Sequence, residues 1–239
     1  MSVALLPAAT FGLLIGSFLN VVAYRLPRGE SLARPGSHCP SCDAPVAPRD
    51  NIPVLSWVLL RGRCRRCSAP IARRYPIVEA ITAALFAAVA VIHAHDTAML
   101  VLGLVLVGFL VPIALIDLDH RIIPNRLTAP AAVLALVLGT ALDPGGEVER
   151  LVAGAAAGGA LLLPSLLHPS GMGMGDAKLA AVLGLYLGRG VAPAFLIAFA
   201  VGTAVLRPAT MPLRMMIVSP TTVPSRNATK NAGATAAPR

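Results

Sequence analysis

Long apolar runs alternate with short polar stretches along most of this chain. The runs cover approximately residues 3–26, 77–95, 99–116, 127–142, 151–167, 179–187 and 191–206. An apolar run of about 20 residues is long enough to cross a bilayer as an α-helix. The pattern therefore predicts an all-α, polytopic helical membrane protein with about seven spans, several of them short.

Composition supports helices rather than a β-barrel. The chain has 239 residues, of which 56% are hydrophobic and only 13% are charged, whereas soluble domains are about a quarter charged. Aromatic residues make up 4%, and glycine is abundant. Gly12 and Gly16 in the first run, and Gly154 and Gly158 in the fifth, have the small-xxx-small spacing of closely packed membrane helices.

Residues 27–75 differ from the rest of the chain. They carry nine arginines, many prolines and serines, and all four cysteines, which predicts a soluble insert. The sequence then divides into a first span at 1–26, the insert at 27–75 and a membrane-embedded core at 76–206. Residues 207–239 are polar and rich in proline, and we predict a disordered tail.

The cysteines form two Cys-x-x-Cys pairs, Cys39 with Cys42 and Cys64 with Cys67, separated by 21 residues. Each pair can occupy two corners of a tetrahedron, so the four thiolates predict one Zn²⁺ site. Such a site is structural, because four cysteines leave no open position for catalysis. The alternative is two disulfides, which would require an oxidising compartment.

The basic residues predict an orientation. If the chain starts outside, 18 of the 20 Lys and Arg lie on the cytoplasmic side, and only Arg150 and Arg189 lie outside. The positive-inside rule strongly favours this arrangement. The net charge of +9 then reflects membrane topology, so we expect a lipid bilayer and no nucleic acid as partner.

Two acidic motifs end up on the same side of the membrane in this orientation. Asp117-Leu118-Asp119 ends the third run, and a glycine-rich stretch at 171–178 contains Asp176. Two adjacent carboxylates tend to share one proton, so one acts as general base and the other as general acid. This chemistry suits peptide hydrolysis without a metal. The alternative is a flexible loop in which Asp176 caps the next helix.

Other polar residues near these motifs are candidates for accessory roles. Asp117 and Asp119 are two residues apart and cannot share a helix face, so we expect only one of them to meet Asp176. The spacing alone leaves open which of the two it is. Further accessory candidates are Gly173, Gly175 and Lys178.

Three polar residues inside or beside the apolar runs have structural interpretations. Asn20 is favoured to form an interhelical hydrogen bond, and Glu79 to serve packing or contact lipid headgroups. Arg25, at the end of the first run, can reach headgroups.

Several motifs, taken in order, resemble one family of membrane proteases. They are residues 16–27, the two Cys-x-x-Cys pairs, residues 50–53, 61–64 and 74–79, Asp117 with Pro124, and Gly-Met-Gly-Met-Gly-Asp at 171–176. Together they are similar to the type IV prepilin leader peptidases, which carry a GxGD signature. The similarity covers about residues 10–206, and the motifs are highly specific in this order.

The resemblance implies an aspartyl endopeptidase of the cell inner membrane. It would remove the short basic leader of type IV prepilin or pseudopilin precursors on the cytoplasmic side, after a glycine. Asp117 and Asp176 occupy the catalytic positions of the family, and Asp119 is an accessory candidate. Many members also methylate the new N-terminus with S-adenosylmethionine, and a homo-oligomer is compatible with the sequence. The family pattern continues into another membrane helix where this chain has its polar tail.

Three other functions fit parts of the sequence. An ion- or proton-coupled transporter also uses intramembrane acids and helices broken by glycine, although no inverted repeat is visible and the insert has no role there. A membrane-anchored zinc adaptor would use the aspartates only as helix caps. An intramembrane protease of the presenilin type shares the GxGD logic but cuts within membrane spans.

Overall fold

The computed structural model describes residues 2–167 and 173–205. The predicted tail at 207–239 and residues 168–172, the last two of which begin the glycine-rich stretch, lie outside the described residues. The α-helices are α1 (Ser2–Arg25), α2 (Leu55–Leu59), α3 (Arg74–Ile92), α4 (Thr97–His120), α5 (Asn125–Leu142), α6 (Glu147–Leu167), α7 (Met174–Leu187) and α8 (Val191–Val205). Regular structure in the described ranges is helical, so the predicted all-α fold is confirmed.

The helices of the described ranges include six candidate membrane spans by length and composition, which makes the chain a multi-pass membrane protein. The count differs from our seven runs at the C-terminal end. There the last two runs form one candidate span, Met174–Thr203, bent at the 3-10 turn Gly188–Gly190. The helices on either side of the turn have 14 and 15 residues, and each is shorter than the roughly 20 residues a span needs.

The predicted close-packing face of α1 is confirmed. A Cβ atom added to Gly12 would lie 2.7 Å from the Cα of Ala83, and one added to Gly16 would lie 2.9 Å from the Cα of Glu79. Only glycine permits this approach, because ordinary carbon–carbon contacts are about 3.5–4.0 Å. Backbone contact through small residues is how membrane helices gain packing energy, and here it joins α1 to α3.

A second close crossing joins α6 to α7. A Cβ atom added to Gly184 would lie 2.5 Å from the Cα of Gly154, and one added to Gly158 would lie 2.8 Å from the Cβ of Ala181. The small-residue face predicted at Gly154 and Gly158 is therefore confirmed, with α7 as its partner. This crossing fixes the position of α7, whose first turn carries Asp176.

Helix α4 lies at the centre of the core. Its apolar residues pack into two clusters, one with α1, α3 and α5 and one with α5 and α7. Ile116 has no exposed surface and belongs to the first cluster. In the second, the buried hydroxyl of Tyr186 donates to the carbonyl of Ala131 at 2.9 Å, which satisfies a polar group that would be costly without a partner.

The two basic residues that the predicted orientation leaves outside are both paired with carboxylates. Arg150 is 2% exposed and contacts Asp143 at 2.6 Å and Glu147 at 3.0 Å. Arg189 contacts Glu149 at 2.9 Å. These contacts tie the α5–α6 connection and the end of α7 to the first turns of α6.

Buried polar contacts hold the insert on the membrane helices. The amide of Asn20 donates to the carbonyl of Tyr75 at 3.3 Å, which is the predicted interhelical bond. Glu79 is buried and accepts from the backbone N–H of Val54 in the insert at 2.6 Å. Arg25 is also buried and donates to the carbonyl of Ser31 at 3.0 Å. Arg25 and Glu79 therefore bind the insert. The packing role predicted for Glu79 is confirmed, and the headgroup contact predicted for Arg25 is wrong.

Candidate active site and metal centre

The first acidic motif lies in the last turn of α4. The backbone N–H of Arg121 donates to the carbonyl of Asp117 at 2.8 Å, and Arg121 adopts a left-handed conformation with φ 55°. That conformation ends the helix. Pro124 is extended and α5 begins at Asn125. The side chains of Asp117 and Asp119 therefore emerge at the end of a membrane helix, next to a short connection.

The second acidic motif starts α7. Gly173 is the N-cap, its carbonyl accepts from the N–H of Asp176 at 3.1 Å, and Asp176 lies in the first helical turn. Negative charge is favoured at a helix N-terminus, where the helix dipole is positive. Asp176 is not the N-cap residue of α7, because it lies inside the helix and no side chain caps the helix start.

The two motifs are in contact. A Cβ atom added to Gly175 would lie 3.0 Å from the Cβ of Ile123, in the connection after α4. The ammonium group of Lys178 donates to the side-chain oxygen of Asn125 at 3.1 Å. Gly175 thus lets the start of α7 approach the connection between α4 and α5. Lys178 fastens α7 to the first residue of α5.

The three aspartates have different environments. Asp117 and Asp176 are both exposed, and neither has a side-chain partner within the part of the chain that the structure describes. Asp119 contacts Arg74 at 2.7 Å. A carboxylate without a partner is available to a substrate, whereas a paired one is occupied. The structure therefore separates Asp119 from the other two.

Arg74 is a residue that the sequence analysis did not single out. It is the first residue of α3, and its guanidinium reaches both Asp119 and the carbonyl of Leu115 at 3.4 Å. It thereby joins the end of the insert to the last turns of α4. In the sequence, only the position of Arg74 in the motif at residues 74–79 indicates that it has a role, and that motif does not identify Asp119 as its partner.

The four cysteines lie together, as predicted. The Sγ atoms of Cys39, Cys42, Cys64 and Cys67 lie within 4.8 Å of one another, and those of Cys39 and Cys67 are 3.7 Å apart. All four are free thiols, so the disulfide alternative is not what the structure contains. A Zn–S bond of about 2.3 Å in a tetrahedron gives sulfur–sulfur distances of about 3.8 Å. The cluster could therefore hold a tetrahedral metal ion.

The two pairs have the same local geometry. The N–H of Asp43 donates to the carbonyl of Cys39 at 2.8 Å, and that of Ser68 to Cys64 at 2.9 Å. Asp43 and Ser68 have φ values of 59° and 58°, so each turn reverses sharply after its second cysteine. Backbone N–H groups of Cys67 and Arg66 lower the pKa of the Cys64 thiol to about 6. A thiolate is the form that binds metals.

Two family models match the chain. The Bacterial Peptidase A24 N-terminal domain matches residues 10–93, and the Type IV leader peptidase family matches residues 104–206. Together the two models include the cysteines and both acidic motifs. No solved structure matches the chain.

Three curated relatives are each named prepilin leader peptidase/N-methyltransferase. The chain is 43% identical to that of Myxococcus xanthus, with 74% of this chain and 54% of the relative aligned. It is 37% identical to that of Neisseria gonorrhoeae, with 78% of this chain and 75% of the relative aligned. It is 39% identical to that of Aeromonas hydrophila, with 78% and 74% aligned. The chain thus spans about half of the first relative and three quarters of the others. It belongs to the type IV leader peptidase family.

Proposed function

We propose that the chain is a membrane aspartyl endopeptidase that removes the basic leader of type IV prepilins or pseudopilins after a glycine. The observation that carries this proposal is the contact between the two acidic motifs, with Gly175 against Ile123. This contact joins the connection that follows Asp117 to the first turn of α7, which carries Asp176. Both carboxylates are exposed and unpaired within the described residues, as a pair that handles a substrate must be.

The positions of the two aspartates suggest their roles. Asp176 lies at the positive end of the α7 dipole, which stabilises a carboxylate, so it serves as the base that takes a proton from water. Asp117 lies at the opposite, negative end of α4 and serves as the acid that donates to the substrate carbonyl. The proton is shared by the pair, and the roles reverse when the leaving amine is protonated.

The active site faces the cytoplasm of a bacterial inner membrane in this proposal. The charge pattern supports it, since 13 of the 20 Lys and Arg lie in residues 25–74, at 121 and 126, and at 178, on the side of the acidic motifs, and the positive-inside rule places such a side in the cytoplasm. Cysteine labelling from outside intact cells would test the orientation. We expect a cysteine placed at Gly145 to react and one placed at Arg126 to remain protected.

Cleavage of a prepilin by membranes that contain the chain tests the assignment. We expect Asp117→Asn and Asp176→Asn each to abolish cleavage, because either change removes half of the acid–base pair. The matched control is Asp96→Asn, which makes the same chemical change at the other end of α4, about 32 Å from Asp117. Asp96 caps α4 through the N–H of Met99, and asparagine caps equally well. Cleavage by both active-site variants would exclude the mechanism.

The cluster of cysteines holds a structural Zn²⁺ in our proposal. The closeness of the four Sγ atoms, with those of Cys39 and Cys67 3.7 Å apart, supports it. Replacing Cys64 with serine removes one ligand, so we expect zinc content to fall well below one ion per chain. We also expect a lower melting temperature, because metal binding is coupled to folding. Wild-type stability after complete removal of zinc would contradict a structural metal.

We also propose that the chain methylates the N-terminus exposed by cleavage, as the names of its relatives state for those proteins. S-adenosylmethionine would supply the methyl group. Mass spectrometry of the cleaved product, made with and without this cofactor, tests the activity. A product that never carries the added methyl group would limit the function to proteolysis.

A further inference from the structure

The short helix α2 of the insert has two contrasting faces. Ser56 is buried, and the indole N–H of Trp57 donates to the carbonyl of Ile71 at 3.1 Å, so this face is attached to the insert. Leu55, Val58 and Leu59 are 50%, 57% and 70% exposed. They lie at positions i, i+3 and i+4, which share one side of a helix. An exposed apolar face of this kind marks an interaction surface.

Helix α2 is tied to the start of a candidate membrane span. The residue before it, Val54, donates its backbone N–H to the carboxylate of Glu79. Glu79 is five residues into the candidate span Arg74–Ile92, which places it about 8 Å along that helix. Interfacial helices bury their apolar face about 5–10 Å into the boundary between headgroups and acyl chains. The depth of α2 therefore matches that of an interfacial helix.

Basic side chains follow the apolar face directly. Arg61, Arg63 and Arg65 line an open cavity of about 480 Å³ at the end of α2. Arg65 is engaged by Asp50 through two hydrogen bonds from its Nε and Nη2 atoms. Arg61 and Arg63 have no carboxylate partner in the described ranges, so their charge is uncompensated. A cavity with such a lining suits an anionic group.

We propose that α2 is an interfacial anchor that binds anionic phospholipids. In this arrangement Leu55, Val58 and Leu59 insert at the bilayer surface, and Arg61 and Arg63 bind the headgroup phosphates. Charge complementarity favours lipid over the leader peptide, which is itself basic and would be repelled. The attachment of α2 to a membrane helix through Glu79 favours lipid over a soluble partner. The anchor fixes the insert against the bilayer.

Trp57 offers a direct test, because it is the only tryptophan of the chain and lies on α2. The full chain is reconstituted into vesicles of phosphatidylcholine, with or without phosphatidylglycerol, in which the acyl chains of one lipid carry bromine. Bromine quenches tryptophan fluorescence at distances of about one helix diameter, roughly 10 Å. We expect quenching in both membranes, and stronger quenching when bromine is carried by phosphatidylglycerol.

Two pairs of substitutions separate the apolar and basic contributions. Leu55→Ser with Leu59→Ser should abolish most of the quenching, whereas Val46→Ser, a control at another exposed apolar residue of the insert, should leave it unchanged. Arg61→Gln with Arg63→Gln should retain quenching but lose the preference for phosphatidylglycerol. The affinity for phosphatidylglycerol relative to phosphatidylcholine should fall by about fivefold for each arginine replaced. Zinc content and cleavage verify that the variants are folded.

Two results would overturn the proposal. One is a Trp57 emission that soluble acrylamide quenches fully and brominated lipid does not, because α2 would then be in water. The other is protection from acrylamide that rises with the ratio of protein to lipid, without quenching by bromine. That result would assign the apolar face to a second copy of the chain. Neither result would affect the proposed cleavage reaction, which is measured separately.

Discussion

A single methyl group at Gly184 should displace the helix that carries Asp176. The Cβ of an alanine there would lie 2.5 Å from both the Cα and the N atom of Gly154. Carbon atoms in contact are about 3.5–4.0 Å apart, so α6 and α7 must separate by about 1 Å. Both obstructing atoms belong to the backbone and cannot rotate away. The overpacking should reduce stability by about 1–3 kcal/mol.

The displacement should also reduce catalysis. Asp176 precedes Gly184 by eight residues on the same helix, about 12 Å along its axis, so a shift of α7 moves the carboxylate with it. A misplacement of about 1 Å can reduce a rate by about 100-fold. We therefore expect kcat/KM for prepilin cleavage by Gly184→Ala to fall by about that factor.

The assay combines cleavage kinetics with thermal unfolding in detergent. Gly159→Ala is the matched control, since it adds the same methyl group on α6 where no atom lies within 4 Å. Gly154→Ala should be intermediate, because its Cβ would meet the Ala181 carbonyl oxygen at 3.0 Å and the Leu185 side chain at 3.1 Å. If Gly184→Ala kept wild-type activity and stability, the close crossing of α6 and α7 would not position the active site.

Three further predictions concern the ion pairs. Arg150→Ala should clearly lower the melting temperature, because the buried guanidinium holds Asp143, Glu147 and the carbonyl of Gly139 together, whereas Arg189→Ala at an exposed site should change the melting temperature little. The Arg150 guanidinium holds the pKa of Asp143 below its usual range, so the stabilisation from this ion pair is complete above about pH 4 and is lost as the pH falls further. A thermal unfolding series from pH 7 to pH 3 measures this loss of stability. If Arg150→Ala lost as much stability over the same pH range as the wild type, the assignment to this pair would be refuted. Arg74→Ala and Asp119→Asn should each reduce kcat with little change in KM, and the two reductions in kcat should not add in the double variant. Additive reductions would show that the pair does not act as a unit.

Local pattern was sufficient to predict the membrane helices and their small-residue faces. Gly12 and Gly16 predict a close approach of another helix, because glycines four residues apart expose the backbone on one side of their own helix. The same signal does not identify the partner helix, which proved to be α3. The cysteine cluster was predictable for a similar reason, since the Cys-x-x-Cys spacing already fixes half of the ligand geometry.

The partners of the buried charged residues could not be predicted from the sequence. Glu79 and Arg25 lie at the ends of apolar runs, where a charged side chain normally reaches headgroups. Each is instead buried against a carbonyl or N–H of the insert, because the insert folds back over the helix ends. The partner of Arg74 is 45 residues away in sequence. No periodicity encodes a contact at that separation.

The cysteine cluster has a consequence for how the first two membrane helices assemble. Helices α1 and α3 meet through Gly12 and Gly16, yet the chain between Arg25 and Arg74 must first close into a long loop. A metal that joins the cysteine pairs shortens the free part of this loop by more than half, and each halving lowers the closure cost by about 0.6 kcal/mol. Metal supply during synthesis would thereby influence how quickly newly inserted helices find each other, and cells starved of zinc should accumulate chains that are inserted but unassembled.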